Sequence, residues 1–335
     1  MSSRPVLEAA ESRHGLARLY APIAADLATA ERIFQDELGS RFPFVQQLVD
    51  HSADFQGKRL RPALLLLCGQ ACGRVSEAHA VLAAVVEMIH TATLVHDDVL
   101  DEAVIRRHAA TVNTEWGNET AVLLGDYLFT HAFHLAASLD STRACRWIGH
   151  ATNKVCEGEM RQVHHRGNLD LDETDYLAII EGKTAELTAV SCRLGASYAG
   201  APEATVAALD RYGRNLGIAF QIADDVLDIW GEERVTGKSL GSDLEKQKLT
   251  LPVIHLLKVV EPATATAVRG LLSEARADQR RLLRPYLENT GALDYAWQRA
   301  KQHVNQAVDA LDCLAESEAR SMLRTMAQYV IRRAS

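Results

Sequence analysis

Along most of the chain, apolar residues recur at i, i+3, i+4 and i+7, with polar positions between them. That period predicts successive amphipathic helices, and alternating strand-like runs are absent. No proline falls between Pro62 and Pro202, which leaves a long stretch free for helix. Helix starts are marked by Ser76 before "EAHAVLAAVVEMIH", Asp172 before "ETDYLAII", and Ala201-Pro202 before "EATVAALDRYGRNLGIAFQIADDVLDIW". Gly73, Gly182, Gly200 and Gly231 fall where helices are expected to stop or be joined. No linker or low-complexity segment divides residues 1–335. The pattern therefore predicts one all-α domain, a bundle of about a dozen helices.

Two of these helices carry the same acidic pentapeptide. "DDVLD" stands at Asp97–Asp101 and again at Asp224–Asp228, each time closing a long apolar run. On a helix, Asp97, Asp98 and Asp101 fall within an arc of about 100°, as do Asp224, Asp225 and Asp228. Carboxylates crowded in this way repel one another and lose hydration unless a cation sits among them. A single copy would read as a solvated acidic face. Two identical copies, on helices that must bury their apolar sides in one bundle, point instead to a shared cavity holding hard divalent ions. Magnesium suits such a site, because it binds one or two carboxylates and fills its remaining positions with water and phosphate oxygens.

Composition narrows the classes. Hydrophobic residues make up 47% and charged residues 24% of 335, the ordinary globular range. A net charge of −8 argues against a general nucleic-acid binder, without excluding anionic substrates held by local cations. The six cysteines form no CxxC pair and read as reduced thiols in apolar helices. The polar start "MSSRPVLEAAESRHG" has no apolar signal core, and "AVLAAVVEMIHTATLVHDD" is interrupted by Glu87, His90 and the Asp pair. No membrane span is expected, and the chain reads as cytoplasmic.

Diphosphate oxygens not held by metal require Lys and Arg. Such residues surround both acidic motifs: Lys58, Arg59 and Arg61 in "GKRLRP", Arg106 and Arg107 after the first, Lys183 with Thr184 in "GKTA", and Lys238 and Lys248 after the second. His131 and His134 have the spacing of a metal pair, but no matching Cys or His set accompanies them, so they read as structural.

Taken in order, "GKRLRP" (57–62), "EMIHTATLVHDDVLDEAVIRR" (87–107), "WGNETAVLLGDYLF" (116–129), "GKTAEL" (182–187), "FQIADDVLD" (220–228) and "GKSLGSDLEKQKLTLP" (237–252) resemble the trans-isoprenyl diphosphate synthases, or polyprenyl synthetases, over nearly the whole chain. The resemblance implies an isoprenoid synthase-type helical bundle with a deep central cavity, a homodimer, and head-to-tail condensation of isopentenyl diphosphate with an allylic prenyl diphosphate. It implies that Asp97, Asp98, Asp101, Asp224, Asp225 and Asp228 bind three magnesium ions. Arg106, Lys183 and Lys238 would hold the allylic diphosphate, with Thr184 and Gln221 beside the reacting carbon. Lys58, Arg61, His90 and Arg107 would hold isopentenyl diphosphate, and Lys248 would join the substrate contacts.

Three positions depart from the family pattern. His108 and Gln247 replace usual glycines, which puts the loop shapes near Arg107 and Lys248 in question, and Thr188 replaces a frequent Phe. Ala92 and Thr93, about one turn before Asp97, are small, so a growing prenyl tail is expected to pass that level. Phe129 and Phe133 are the candidates for a floor. The expected product is hexaprenyl to octaprenyl diphosphate, with geranylgeranyl diphosphate as the alternative. A non-catalytic subunit of a heteromeric synthase would have lost its Asp motifs, and a terpene cyclase would need only one of them and no "GKRLRP".

Overall fold

The computed structural model describes residues 19–53, 57–107, 109–139, 141–231, 240–273 and 278–332, and these are helical almost throughout. A 3₁₀ turn leads into α1 (Ala24–Leu38), α2 (Pro43–Ala53), α3 (Leu60–Ala71) and α4 (Glu77–Leu100). A small antiparallel hairpin, β1 (Ile105–Arg106) and β2 (Ala109–Ala110), joins α4 to α5 (Val112–Ala137). Then come α6 (Arg143–His164), α7 (Glu173–Ile180), a π-helical turn (Glu181–Ala185), α8 (Glu186–Tyr198) and α9 (Glu203–Trp230). The chain closes with α10 (Ser242–Glu245), α11 (Leu251–Val259), α12 (Pro262–Ser273), α13 (Gln279–Asn289), α14 (Ala292–Ala310) and α15 (Glu318–Arg332). The hairpin escapes a periodicity search because strands this short have no room to alternate.

The start signals act as their chemistry requires. Ser76 and His79 form a reciprocal capping box at the head of α4. Asp172 accepts from the Asp175 amide at 2.8 Å at the head of α7. Gly73 and Gly200 take positive φ at helix ends, as a left-handed stop requires. Gly182 does not stop its helix. The chain continues from α7 through the π turn into α8, and α6 passes so close that a Cβ on Gly182 would lie 2.8 Å from the Lys154 carbonyl oxygen.

The α4 helix runs through the middle of the main core, where Leu82, Val85, Val86, Met88, Ile89 and Ala92 are fully buried. Each large side chain buried there contributes roughly 1.5–3 kcal/mol. By length and composition α4 is apolar enough to cross a membrane, but most of it is covered by other helices, as in the centre of a bundle. The α9 helix is apolar on two sides. Leu209, Tyr212 and Leu216 enter the main core, while Ile222, Val226 and Ile229 enter a second core built with α11, α13 and α14. The Tyr212 hydroxyl, fully buried, donates to the Leu323 carbonyl at 2.8 Å and ties α15 to this frame. Both acidic motifs thus sit at the C-terminal ends of the two helices around which the cores form.

Candidate functional site

In the first motif, Asp97 and Asp98 occupy the last turn of α4 and Asp101 caps it. Helix C-termini carry partial negative charge, so carboxylates here need cationic partners. Asp98, only 1% exposed, receives Arg106 side-on, with Nε at 2.9 Å from both oxygens and Nη2 at 2.8 Å from Oδ1. The turn that follows α4, with Glu102 at φ +49°, brings Arg106 on β1 back to the helix it has just left. Asp101 meets Arg166 at 3.0 Å and Lys246 and Lys248 at 3.1 Å each. Burial works to raise the Asp101 carboxyl, but Lys248 and Lys246 outweigh it and hold it below its usual range. Asp97 has one more distant cation, Lys183 at 3.7 Å, which is itself paired with Glu159 at 2.5 Å. Burial pushes Asp97 up to about 6 against the pull of Lys183.

In the second motif, Asp225 and Asp228 are held by neutral donors. Asp225, 4% exposed, accepts the Tyr176 hydroxyl at 2.6 Å and the Gln221 amide at 2.8 Å. Burial and the neighbouring Asp243 push its carboxyl well above the usual range despite these bonds. Asp228 accepts the Ser242 hydroxyl and the Asp243 amide, both at 3.1 Å. Burial and Asp228 in turn push the Asp243 carboxyl up to about 6. Asp224 is half-buried beside them.

Two separate bridges bring the motifs together. On the π turn, Lys183 reaches Asp97, while the next residue, Thr184, donates to Gln221 Oε1 at 2.7 Å and so connects to Asp225. In the segment after α9, Ser242 and Asp243 hold Asp228, while Lys246 and Lys248 reach Asp101. Adjacent residues that touch different motifs require the two helix ends to face each other across a short gap. Gln247, where the family pattern has Gly, sits in this segment at φ +54°, and Arg107 lies at φ +49°. The Gln247 departure is therefore accommodated with a left-handed backbone, at a cost of about 1–2 kcal/mol for a non-glycine residue. Thr188 is buried and its hydroxyl bonds the Thr184 carbonyl at 3.3 Å. His108 and Lys238 lie outside the described residues.

The residues expected to hold the second substrate gather where the "GKRLRP" segment meets α4 and the hairpin. A Cβ on Gly57 would lie 2.3 Å from Arg107 Nη2, so this guanidinium lies against the "GKRLRP" backbone. Burial, then Arg61, Arg107 and Arg106, hold the His90 imidazole well below its ordinary value and therefore neutral. Lys58 Nζ stands 5.8 Å from the centre of the Tyr329 ring, which brings α15 over this loop. The side chain of Arg332 and residue Arg333 lie outside the described residues.

Several partners were invisible to sequence reasoning. Arg166, Glu159 and Tyr176 come from the α6–α7 connection, α6 and α7, with no motif to mark them, while Asp243 and Lys246 lie in the 237–252 motif but were given no role. Glu87 is 6% exposed among Arg61, Arg59 and Arg107, and burial raises its carboxyl against their pull. Its one signal was an acid inside an apolar helix. Toward the core, Ala92 is fully buried, while Thr93 is half-buried and gives its hydroxyl to the His90 carbonyl at 2.7 Å. The Phe129 ring lies 6.0 Å from that of His96, and Phe133 faces Gly149 of α6. His131 bonds Glu37 at 3.0 Å.

Among the described residues no three His, Cys, Asp or Glu side chains already converge as a metal cage. Asp98 and Asp101 are instead drawn to cationic side chains. The donor set still fits a hard divalent ion: every candidate ligand is a carboxylate oxygen, and burial leaves Asp97, Asp225 and Asp243 short of positive charge.

An all-α frame with paired acidic helix ends ringed by Lys and Arg is the architecture of an isoprenoid synthase-type enzyme. Residues 42–288 match the family model for polyprenyl synthetase, and the chain belongs to that family. It is similar to an all-trans-nonaprenyl-diphosphate synthase (geranyl-diphosphate specific) of Rhodobacter capsulatus, 36% identical, covering 94% of this chain and 97% of that one. It is also similar to the octaprenyl diphosphate synthase of Escherichia coli (strain K12), 35% identical, covering 92% and 96%. The crystal structure of a decaprenyl diphosphate synthase from Rhodobacter capsulatus superposes with a TM-score of 0.91 at 35% identity, covering 96% of this chain and 99% of that one. A polyprenyl synthase from Caulobacter crescentus CB15, complexed with calcium and isoprenyl diphosphate, superposes with a TM-score of 0.89 at 34% identity, covering 96% and 98%. The protein is accordingly a prenyltransferase of the polyprenyl synthetase family.

Proposed function

We propose that this enzyme, a single domain over its whole length, condenses isopentenyl diphosphate head-to-tail with an allylic prenyl diphosphate. Its product is a trans-polyprenyl diphosphate of hexaprenyl to octaprenyl length. The observation that carries this reading is the double bridge, which sets two acidic helix ends opposite each other with Lys and Arg between them. Asp97, Asp101, Asp224 and Asp228 would hold three magnesium ions. Asp98 and Asp225 belong to the same clusters; Asp98 would meet an ion on giving up Arg106, Asp225 on giving up Tyr176 and Gln221, and Asp101 on giving up Arg166, Lys246 and Lys248. Bound magnesium supplies the positive charge that stabilises diphosphate as a leaving group.

The chain's own residues do the rest. Arg106, Lys183 and Lys238 grip the allylic diphosphate and stabilise charge as its C–O bond ionises. Thr184 and Gln221, already joined, line the reacting carbon. Lys58, Arg61 and Arg107 neutralise and orient isopentenyl diphosphate, with His90 beside them as a neutral donor, and Lys248, which reaches Asp101, joins the substrate contacts. The double bond of isopentenyl diphosphate attacks the allylic cation, and a proton then leaves to the departing diphosphate. No protein nucleophile is needed, and the apolar walls below the motifs keep water from the cation.

The prenyl tail is directed past Ala92 and Thr93 toward Phe129 and Phe133, both half-buried on α5 against the main core. The product is measured by extraction and mass analysis. Ala92→Phe should shorten it, because an added ring of that volume blocks the path of the tail. A wild-type product of fifteen carbons, or an unchanged product in Ala92→Phe, would defeat the tunnel reading. We place the enzyme in the cytoplasm as a homodimer. In support, the exposed Phe42, Ile105 and Leu123 lie on the start of α2, the hairpin and α5, which His51 joins through its bond to Ala110. A monomeric mass by light scattering would refute the dimer.

A further inference from the structure

The π turn Glu181–Ala185 is held between two other helices at backbone contact. A Cβ on Gly158 of α6 would lie 2.5 Å from the Lys183 amide nitrogen, and one on Gly217 of α9 would lie 2.5 Å from Ala185 Cα. Neither neighbour tolerates even a methyl group, so the turn has one place to be. About one turn before Gly217, Arg214 reaches across the same segment. Its Nη1 donates to Glu181 Oε1 at 2.9 Å and to Glu186 Oε2 at 2.5 Å, and its Nη2 donates to Asp210 at 3.3 Å. Glu181 is the first residue of the π turn, and Glu186 is the first after it. One guanidinium therefore pins both ends of the segment that presents Lys183 and Thr184.

A π turn carries one residue more than an α turn and is intrinsically less favoured. If it relaxed to α-helix, the residues on one side would rotate by about 100° relative to those on the other. Lys183 would swing away from Asp97, or Thr184 away from Gln221. The clamp prevents this by fixing Glu181 and Glu186 to a single planar group, a geometry that a lysine ammonium cannot reproduce.

We propose that Arg214 is a positioning residue. It holds the π turn in register so that Lys183 and Thr184 meet the allylic diphosphate and the second acidic motif at the same time. This rests on the role given above to Lys183 and Thr184. Arg214 itself does not touch substrate.

The test is steady-state kinetics with each substrate varied in turn, on magnesium-loaded full-length enzyme, beside thermal melts. Arg214→Met should raise the allylic KM and lower kcat by about tenfold or more, while the isopentenyl diphosphate KM stays within about twofold. Arg214→Lys should recover only part of the loss. Arg214→Met leaves acids unpaired and can unfold the protein, so Arg214→Met/Glu186→Gln is made as well. It should restore the melting temperature without restoring the allylic KM. Glu181→Ala, at a half-exposed position, removes one end of the clamp alone and should raise the allylic KM by about threefold or more. A folded variant of this set with an unchanged allylic KM, or with both KM values shifted equally, overturns the proposal. Lys183→Ala separates the two levels. If it leaves the allylic KM unchanged, the reading of Lys183 is wrong. If it raises that KM while the Arg214 and Glu181 variants do not, the clamp alone is wrong.

Discussion

The same five residues, Asp-Asp-Val-Leu-Asp, end α4 and recur in the last two turns of α9, yet their surroundings differ in sign. In both copies the second aspartate is the buried one, Asp98 and Asp225, because the same helical register turns it toward the bundle. Asp98 is met by a guanidinium and Asp101 by three cationic side chains. Asp225 is met by a phenol and an amide, and Asp228 by a hydroxyl and a backbone amide, with a further acid, Asp243, beside them. In one arm of the site Asp98 and Asp101 are thus compensated by protein cations, whereas in the other Asp225 and Asp228 are met by neutral donors. Identical sequence thus does not give identical chemistry. The segments folded over each copy decide whether a carboxylate faces Arg and Lys or neutral donors.

The largest effect that can break this comparison is on turnover. Asp101→Ala and Asp224→Ala should each lower kcat by about 10²-fold or more while the protein stays folded, since each removes charge that holds the leaving diphosphate. EDTA should abolish activity in the wild type, and magnesium should restore it. Full turnover in metal-free enzyme would remove the basis for both arms. If only one of the two variants were inactive, the arms would not share a site.

Stability sharpens the contrast next. Asp98→Asn leaves Arg106 without its carboxylate and should cost about 1.5–3 kcal/mol in metal-free protein. Asp225→Asn replaces a buried acid, whose charged form burial already disfavours, by an amide that still accepts from Tyr176. It should change stability by less than about 1 kcal/mol. Denaturant melts in EDTA measure both, and equal losses would show that the two environments are not different in kind.

The smallest expected effect is a pH dependence belonging to the first arm. His90 sits on α4 two turns before Asp97, facing Arg61, Arg107 and Arg106, whereas the corresponding position before Asp224 is Gly217. Burial and these arginines depress the folded-state value of the imidazole, so the unfolded chain takes up a proton first as pH falls. The contribution of His90 is therefore unchanged above the ordinary imidazole range and becomes unfavourable below about 6.5. Relative to His90→Gln, the wild type should lose stability as metal-free samples are taken from about pH 7.5 to about pH 5. Parallel curves for the two proteins would show that His90 is not held in a cationic field.

Helix identity, the capped starts at Ser76 and Asp172, and the pairing of two acidic motifs with basic neighbours were legible in the residues, because each depends on spacing within one helix. The hairpin was not, being too short to alternate; Gly182 does lie where two helices are joined, but its need for a missing side chain comes from α6 and not from its own helix. The family-pattern reading supplied roles for Lys58, Arg61, Lys183 and Gln221, but it ranked all six aspartates alike.

What the sequence by itself determined is therefore local and periodic: which segments are helices, which of their faces are apolar, and that carboxylates stand at two helix C-termini where the backbone does not favour them. Which carboxylates remain available was decided only when segments distant along the chain closed over them. Arg106 returns through the turn after α4 onto Asp98, Tyr176 comes from α7 onto Asp225, and the span Ser242–Lys248 touches both motifs at once. The reason is physical. Helix formation is governed by neighbours three and four residues away, whereas the charge state and pairing of a buried carboxylate are governed by whatever the packed bundle places within a few ångströms of it.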